Sequence, residues 1–343
     1  MKAISCLWLI VSWVHLAVCQ PSYSVQEVLV NGKVAAGSSL SNSGWVVGYT
    51  EIDRFQNRAF RWQNGTGEVL HGFSGGGNDH DTEASGVNEL GDAVGSAQNG
   101  EDYWGAALWD SQGFHDLGHL GDNYAWTNAV NNAKWGVGGS YVTSSDAHPF
   151  LARNGEMQDL GMLGIPQNHY GEAIAVNNVG IVLGFERDRE FSAYTPWIWT
   201  DAGGMVRLYP DVFRGGGEVS DINDLGEVLN QRKIWKDGKT RTLPDAGGFW
   251  RINNNSDIIG YLLSTGDAGV WINQTPYDLQ SLVLDQTYAI DEVRDINDSG
   301  QILATARRGG VTYSVLLTPV PEPATILSAA FGLAWLALRR RKR

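Results

Sequence analysis

Residues 87–95, VNELGDAVG, and residues 176–184, VNNVGIVLG, are two copies of the pattern that decides the fold. Each copy has an aliphatic residue, an Asn, a short variable stretch, a Gly and then an apolar run that ends in Gly. In a tight turn Asn bonds to its own backbone, and Gly accepts a positive φ. The pattern therefore predicts a turn followed by a short strand.

The same pattern occurs seven times, and the turn positions lie 43 to 47 residues apart except for one interval of 30. Lys134 and Ser256 stand where the other five copies have Gly. Each copy also carries an aromatic segment and a second tight turn, which with the segment before the Asn makes four short strands. Four strands in about 44 residues is typical of one blade of a β-propeller. The turns begin at Ser41, Asn88, Asn131, Asn177, Asn223, Asn253 and Asn297.

These repeats predict an all-β protein, a β-propeller of seven four-stranded blades. The last copy lacks a final strand, and a spare apolar segment, Tyr23 to Val30, precedes the first copy. Because proteins avoid open sheet edges, we expect this segment to close the ring as the outer strand beside Thr312 to Thr318. A β-solenoid, or six blades with a degenerate fifth copy, remains the alternative.

Two short strings in the third copy suggest a relationship. Residues 148–151, HPFL, and residues 157–164, MQDLGMLG, resemble the HAF family of extracellular repeats. The resemblance extends over most of the repeat region, although single copies are degenerate. It implies an extracellular location and says more about the fold than about an activity.

The N-terminus has the order of parts of a secretory signal peptide. Lys2 is followed by an apolar run from Ile4 to Val18, with small residues before Gln20. We therefore predict a signal peptide over residues 1–19, cleaved between Cys19 and Gln20. A short membrane anchor and a lipoprotein lipidated at Cys19 are the alternatives. The only other cysteine is Cys6, so the predicted mature chain has none.

Residues 321–343 have the order of a sorting signal: a Pro-Glu-Pro box, an apolar run and a basic tail. Fifteen apolar residues, 324–338, fall short of the roughly 20 that a membrane-spanning helix needs. The order resembles the PEP-CTERM sorting signal, which implies processing by an exosortase and an association with exopolysaccharide or biofilm matrix. We predict an apolar helix that inserts transiently in the membrane; a plain tail anchor is the alternative. The residues concerned are Val320, Pro321, Glu322, Pro323, Ala324, Arg339, Arg340 and Arg341.

Residues 20–320 form the predicted repeat domain, and their charge limits its partners. The formal net charge of −13 becomes −19 when Lys2 and the five basic residues at the C-terminus are left out. An acidic surface argues against nucleic acid as a partner. We expect no cofactor, and we expect an extracellular polysaccharide or a surface protein as the ligand.

Motifs of catalysis and metal binding are weak. Asp221 and Asp295 begin loops like those that bind calcium, but Leu225 and Ser299 stand at the fifth position, which favours a plain Asx turn. His115 and His119 have a zinc-like spacing, yet they fall on a strand and its loop and not on a helix. No nucleophile elbow or phosphate loop occurs. We therefore predict a non-catalytic protein; the alternative is a secreted hydrolase or lyase that acts on polysaccharide.

The longer connections, which differ between copies, predict a binding face at one end of the propeller. They combine aromatic rings with carboxylates, a mixture that suits sugars or cationic partners. The tryptophans that recur in the aromatic strands are more typical of packing between blades. The candidate binding residues are Trp104, Tyr124, Tyr170, Glu186, Asp188, Phe191 and Trp250.

Overall fold

The structure is a computed structural model that describes residues 21–53, 56–75, 78–99, 103–164, 168–188, 194–208 and 219–321. The predicted signal peptide with its cleavage site at Cys19 and Gln20, and the sorting residues from Glu322 to Arg343, lie outside this part. A compact unit extends from Tyr23 to Pro319. In the described part, no helix is long and apolar enough to cross a membrane.

The chain folds into seven units of four antiparallel strands, paired mostly in chain order. Within each unit the first strand is the inner one. Units 1 to 3 are Ala36–Leu40, Val46–Asp53, Gln56–Gln63 and Thr66–Leu70; Thr82–Val87, Ala93–Gln98, Trp104–Asp110 and Gly113–Gly118; and Ala125–Val130, Gly136–Tyr141, Ala147–Arg153 and Glu156–Asp159. Units 4 and 5 are Asn168–Val176, Val182–Asp188, Tyr194–Thr200 and Gly204–Arg207; and Val219–Ile222, Val228–Asn230, Lys233–Lys236 and Lys239–Thr242. Units 6 and 7 are Ala246–Ile252, Ile258–Leu262, Ala268–Ile272 and Thr275–Asp278; and Ala289–Ile296, Ile302–Arg308, Val311–Pro319 and Tyr23–Glu27.

The N-terminal strand closes the ring, as predicted. Tyr23–Glu27 pairs antiparallel with Val311–Pro319, from Tyr23 opposite Pro319 to Glu27 opposite Val315. The remainder of the predicted segment behaves differently. Leu29–Val30 pairs with Lys33–Val34 in a small hairpin, because Asn31 and Gly32 reverse the chain with φ of 52° and 75°.

The sheets are fewer than predicted. Five units are separate four-stranded sheets, whereas units 3 and 4 form one eight-stranded sheet. The prediction of seven separate blades is therefore corrected to five. The physical reason is one parallel pair, Ala147 with Tyr170, which joins the third strand of unit 3 to the inner strand of unit 4. Short extra elements are the pair Ser74–Gly75 and Asn78–Asp79 and the helix Leu279–Leu282.

The hydrophobic core is divided between the units. Seven clusters of buried apolar side chains occur among the described residues, and each lies between two consecutive units of the ring. Trp62, Trp197 and Trp271, from the aromatic strands, are fully buried. Burial of one such side chain stabilises the fold by about 1.5–3 kcal/mol. The recurring tryptophans therefore pack the units together, as the sequence indicated.

The Asn turns join consecutive units. In unit 3, Asn131 Oδ1 accepts hydrogen bonds from the N–H groups of Ala133 and Trp135, both at 3.0 Å, and so caps its own turn. Asn131 Nδ2 donates to the Asn177 carbonyl of unit 4 at 3.0 Å. The Asn131 side chain thus satisfies two N–H groups of its own turn and bonds to the next unit. The same donation runs from Asn88 to Asn131, Asn177 to Asn223, Asn223 to Asn253, Asn253 to Asn297 and Asn297 to Ser41.

Every inner strand has an irregular register three residues before its turn. Such a bulge pushes a carbonyl towards the neighbouring strand. A Cβ on Gly95 would lie 1.9 Å from the Glu83 carbonyl oxygen, and a Cβ on Gly138 would lie 1.9 Å from that of Trp126. This close approach explains why the apolar run of the repeat so often ends in Gly.

Candidate binding site at the open end

The bulged residues of the inner strands line a central cavity of about 1040 Å³. The cavity lies towards the start of the inner strands, whereas the Asn turns lie at their other end. We call these two ends of the ring the open end and the turn end. Six of the seven bulged residues line the cavity: Ser38, Ser85, Asn128, Ile174, Ser220 and Trp250.

Four aromatic rings pack together at the open end, and we call them the aromatic cluster: Tyr124, Trp126, Tyr141 and Tyr170. The ring centroids of Tyr124 and Tyr141 are 5.7 Å apart at 82°, and those of Trp126 and Tyr170 are 5.9 Å apart at 21°. The guanidinium carbon of Arg187 lies 3.8 Å from the Tyr170 ring centroid. These are favourable edge-to-face, stacked and cation–π arrangements. Tyr124 remains 42% exposed, so the cluster presents an aromatic surface to solvent.

Glu172 holds this cluster in place. Its Oε2 accepts hydrogen bonds from Trp126 Nε1 at 2.8 Å, from the Tyr170 hydroxyl at 3.3 Å and from Asn128 Nδ2 at 3.4 Å. Burial raises the pKa of Glu172, although these hydrogen bonds oppose the shift. Its Oε1 makes no hydrogen bond to any residue in the described part. Glu172 therefore brings to the wall of the central cavity a carboxyl oxygen that has no hydrogen-bond partner among the described residues.

The cluster lies at the seam of the eight-stranded sheet. Tyr170 itself forms the parallel pair with Ala147 that joins units 3 and 4. Beside this pair, His169 Nδ1 lies 3.1 Å from Asp146 Oδ1. Burial, together with the charge of Glu172, raises the pKa of Tyr170, so its hydroxyl keeps its proton. The parallel pair that joins the two sheets thus lies within the aromatic cluster at the open end.

A side groove of about 560 Å³ leads from the surface to this seam. It is lined by the aromatic cluster together with Tyr103, Asp122, Ser144 and Arg187. Trp126 and Arg187 line both the groove and the central cavity. The two spaces therefore adjoin at these side chains, and both have volumes typical of ligand sites.

Arg251 lies in the wall of the central cavity. Its Nη1 donates to the Trp250 carbonyl at 2.9 Å and to the Ser220 carbonyl at 3.3 Å. Its Nε and Nη2 make no hydrogen bond to a residue in the described ranges. Among the described residues, the Arg251 guanidinium group thus has N–H donors in the cavity wall that are not used by the protein.

Asp221 and Asp295 lie near Arg251 and tie units together. Asp221 Oδ2 accepts from the Ile252 N–H at 2.9 Å, and Asp295 Oδ2 accepts from the Leu40 N–H at 2.7 Å. Burial raises the pKa of Asp221 to about 6, although the charge of Arg251 opposes the shift. Burial raises the pKa of Asp295 as well. Both side chains therefore serve contacts between units.

The predicted binding residues separate into groups. Tyr124, Tyr170 and Trp250 line the spaces at the open end. Trp104 begins the third strand of unit 2 and lines neither space. Glu186 is fully buried and accepts a hydrogen bond from the Leu163 N–H.

Two further candidates fall where the structure gives no side chain. Phe191 lies outside the described residues, and so does the side chain of Asp188. The predicted binding face is thus described for only part of its extent.

The histidines of the zinc-like spacing are not brought together. His115 Nε2 lies 2.8 Å from Asp110 Oδ1, while His119 is exposed. Lys134 Nζ donates to Asp110 Oδ2 at 2.9 Å. Burial tends to raise the pKa of Asp110, but the hydrogen bonds from Lys134 and His115 outweigh it and lower the pKa. Within the described ranges, no three metal-ligating side chains lie close together.

Sequence analysis missed several residues of the site, namely Trp126, Asn128, Glu172, Tyr141 and Arg187. A signal for three of them exists. Trp126 and Asn128, five and three residues before the turn Asn of one copy, face the cavity, and so does Glu172 in the next copy. The same two positions hold Glu83 and Ser85 in the second copy, so polar side chains that recur on the inner strand would have identified this lining.

Comparisons with known proteins identify a sorting motif and the fold. Residues 319–342 match the PEP-CTERM protein-sorting motif, which implies export, surface sorting and processing by an exosortase. No curated protein matches the chain.

Solved structures show the fold. The β-propeller domain of the Trilobed protease from Pyrococcus furiosus is 11% identical, with a TM-score of 0.58, over 84% of this chain and 94% of that domain. A puromycin hydrolase S511A mutant complexed with PGG is 11% identical, with a TM-score of 0.53, over 83% of this chain and 52% of the hydrolase. The structural likeness establishes a β-propeller. Sequence identities this low carry no information about activity.

Proposed function

We propose that this chain is an exported, surface-sorted β-propeller that binds an extracellular polysaccharide at its open end without cleaving it. The observation that carries the proposal is the aromatic cluster, which lies where the side groove meets the central cavity. Aromatic faces pack against the apolar faces of sugar rings, while nearby polar groups bond to the hydroxyls. Asn128, Glu172 and Arg251 supply such groups in the same cavity.

The repeats and the two ends of the chain complete this proposal. The five separate four-stranded sheets and the eight-stranded sheet form one ring, which the seven inter-unit clusters hold together. We take the repeats as HAF-type. A signal peptide is cleaved before Gln20, the apolar segment 324–338 enters the membrane transiently, and an exosortase then processes the chain for the extracellular matrix.

A binding screen with mutants tests the ligand site. Mature protein from the cell surface is incubated with a panel of purified polysaccharides, and the bound fraction is measured. We expect Trp126→Ala to weaken binding by about tenfold, because it removes the ring shared by the groove and the cavity. Trp135→Ala, an aromatic change at the turn end, is the matched control and should bind like the wild type. No binding to any polysaccharide, or equal affinity in both variants, would overturn the proposal.

A hydrolase or lyase is the second candidate, and one observation favours it. Glu83 and Glu172 both line the central cavity, and burial raises the pKa of Glu172, as a general acid requires. Product analysis in the same samples separates the candidates. Cleavage that Glu172→Gln abolishes while binding persists would establish the enzyme in place of the binding protein.

A further inference from the structure

We infer that the open end receives the terminus of a glycan chain and not its middle. This inference rests on the proposed polysaccharide binding and adds the manner in which the chain is recognised. Three features carry it: a groove that adjoins the cavity, a closed floor, and polar groups in the cavity that have unused hydrogen-bonding atoms among the described residues.

The path begins in the side groove and ends in the central cavity. Since Trp126 and Arg187 line both spaces, the groove and the cavity adjoin there, and we place an extended ligand along the groove with its end past Trp126 in the ring. The exposed ring of Tyr124 lies on the groove side, and Glu172 lies on the cavity side. A chain of several sugar rings therefore has aromatic surface along its length and hydrogen-bonding groups at its inner end.

The central cavity does not continue through the ring. The turn end has its own depression of about 180 Å³, and the two share no lining residue among those that the structure describes. The level between them is occupied by the bonded groups of Arg251, Asp221 and Asp295 and then by the ring of Asn turns. A polysaccharide cannot thread through this level, so only a chain end can reach the floor of the cavity.

The cavity suits a chain end because it offers unused hydrogen-bonding capacity, on its wall at Glu172 and near its floor at Arg251. Glu172 Oε1 and two nitrogens of Arg251 make no hydrogen bond to any residue in the described part. A terminal sugar carries a free hydroxyl at the position where an internal sugar is linked to its neighbour. Carboxyl and guanidinium groups bond hydroxyls strongly, so they favour the ring that has the additional one.

The amount of protein bound per polysaccharide chain tests this inference, and the test does not require that the glycosidic linkage be known. The polysaccharide that binds best in the panel, from among cellulose, laminarin, starch, chitin, alginate and hyaluronan fragments, is partly hydrolysed to several chain lengths. Binding of the mature protein is then measured at equal sugar mass. For recognition of an end, we expect bound protein to follow the number of chains, so that fragments ten times shorter bind about ten times more protein.

Two variants sharpen the result. Glu172→Gln retains a side chain of the same size, and we expect it to weaken binding to short fragments at least fivefold. Leu90→Ala, an exposed residue at the turn end, should leave binding unchanged. Bound protein that follows sugar mass and not chain number, with Trp126→Ala still defective, would overturn end recognition but keep the proposed function. Absence of binding to every polysaccharide would overturn both.

Discussion

The two ends of the ring are built from the same strands but follow opposite rules. At the turn end, six of seven units place an Asn whose side chain caps its own turn and bonds to the next unit. At the open end, the equivalent bulged positions hold residues as different as Ser85, Ile174 and Trp250. A contact that every unit must make with its neighbour restricts the residue, whereas a residue that faces a cavity is free to differ. Regularity thus marks the scaffold, and irregularity marks the site.

At the turn end, a unit that has another residue in place of the turn Gly matches a change in the preceding unit. The residue after the turn of one unit contacts the turn residue of the next. Trp45 leaves no room for a Cβ on Gly91, which would lie 2.8 Å from the indole. Asp92 stands in the place of Trp45 in unit 2, and the turn residue that it contacts in unit 3 is Lys134. Lys134 Nζ lies 3.4 Å from Asp92 Oδ1. Degenerate turns are therefore matched pairs and not defects.

Breaking a turn cap should have the largest effect on stability. Asn131→Ala leaves the N–H groups of Ala133 and Trp135 without their acceptor and removes the donor to the Asn177 carbonyl, which keeps only the Gly180 N–H. We expect the free energy of unfolding to fall by about 2–4 kcal/mol, measured by urea denaturation.

Asn131→Ser is the matched control for this change, because the Ser41 hydroxyl caps the equivalent turn of unit 1. It keeps an acceptor for the turn and removes the donor to the next unit, so we expect a smaller loss. A loss below about 0.5 kcal/mol for Asn131→Ala would contradict the structural role of the turn ring.

Asp221, at the level between the two ends, should make stability depend on pH. Burial raises its folded pKa from 3.8 to about 6, so the folded state binds a proton that the unfolded state lacks between these values. Stability should therefore increase as the pH falls, by about 1.4 kcal/mol from pH 7.5 to pH 5.

The measurement is urea denaturation at both pH values, and Asp221→Asn is the comparison. The difference between wild type and variant isolates Asp221 from the histidines that titrate in the same range. An equal pH dependence in both proteins would show that Asp221 does not titrate as its burial implies.

The contrast between the ends also explains what the sequence could predict. The turns, the strands and the closure by Tyr23–Glu27 were predicted from the sequence repeats, because all seven copies of one pattern have the same local structure. The sequence also indicated the buried tryptophans, since they recur at one position. Local patterns decide these features, and a pattern repeated seven times averages out the exceptions.

The eight-stranded sheet and the candidate site could not be predicted from the sequence repeats. The pair between Ala147 and Tyr170 depends on how two neighbouring units meet, which no single copy encodes. Attention to the loops found Tyr124 and Tyr170 but missed Trp126 and Glu172, which lie on the inner strand. Cavity-facing residues had to be recognised by their variation between copies, and the bulge that turns them inward is visible only in the register.

The smallest effect comes from repairing the one interrupted link of the turn ring. Ser41 caps its own turn through Oγ, which accepts from the Trp45 N–H at 3.1 Å, but a hydroxyl is too short to reach unit 2 as the Asn amides do. Ser41→Asn supplies an amide that can bond to the Asn88 carbonyl, at the loss of the contact between Ser41 Oγ and Ser43 Oγ. We expect stability to rise by about 1 kcal/mol in urea denaturation, the ordinary net value of one buried hydrogen bond. The reverse change, Asn297→Ser, removes the donor to the Ser41 carbonyl and should lower stability by a similar amount. If Ser41→Asn destabilises the protein while Asn297→Ser does not, the inter-unit amide bond is not what holds the turn end together.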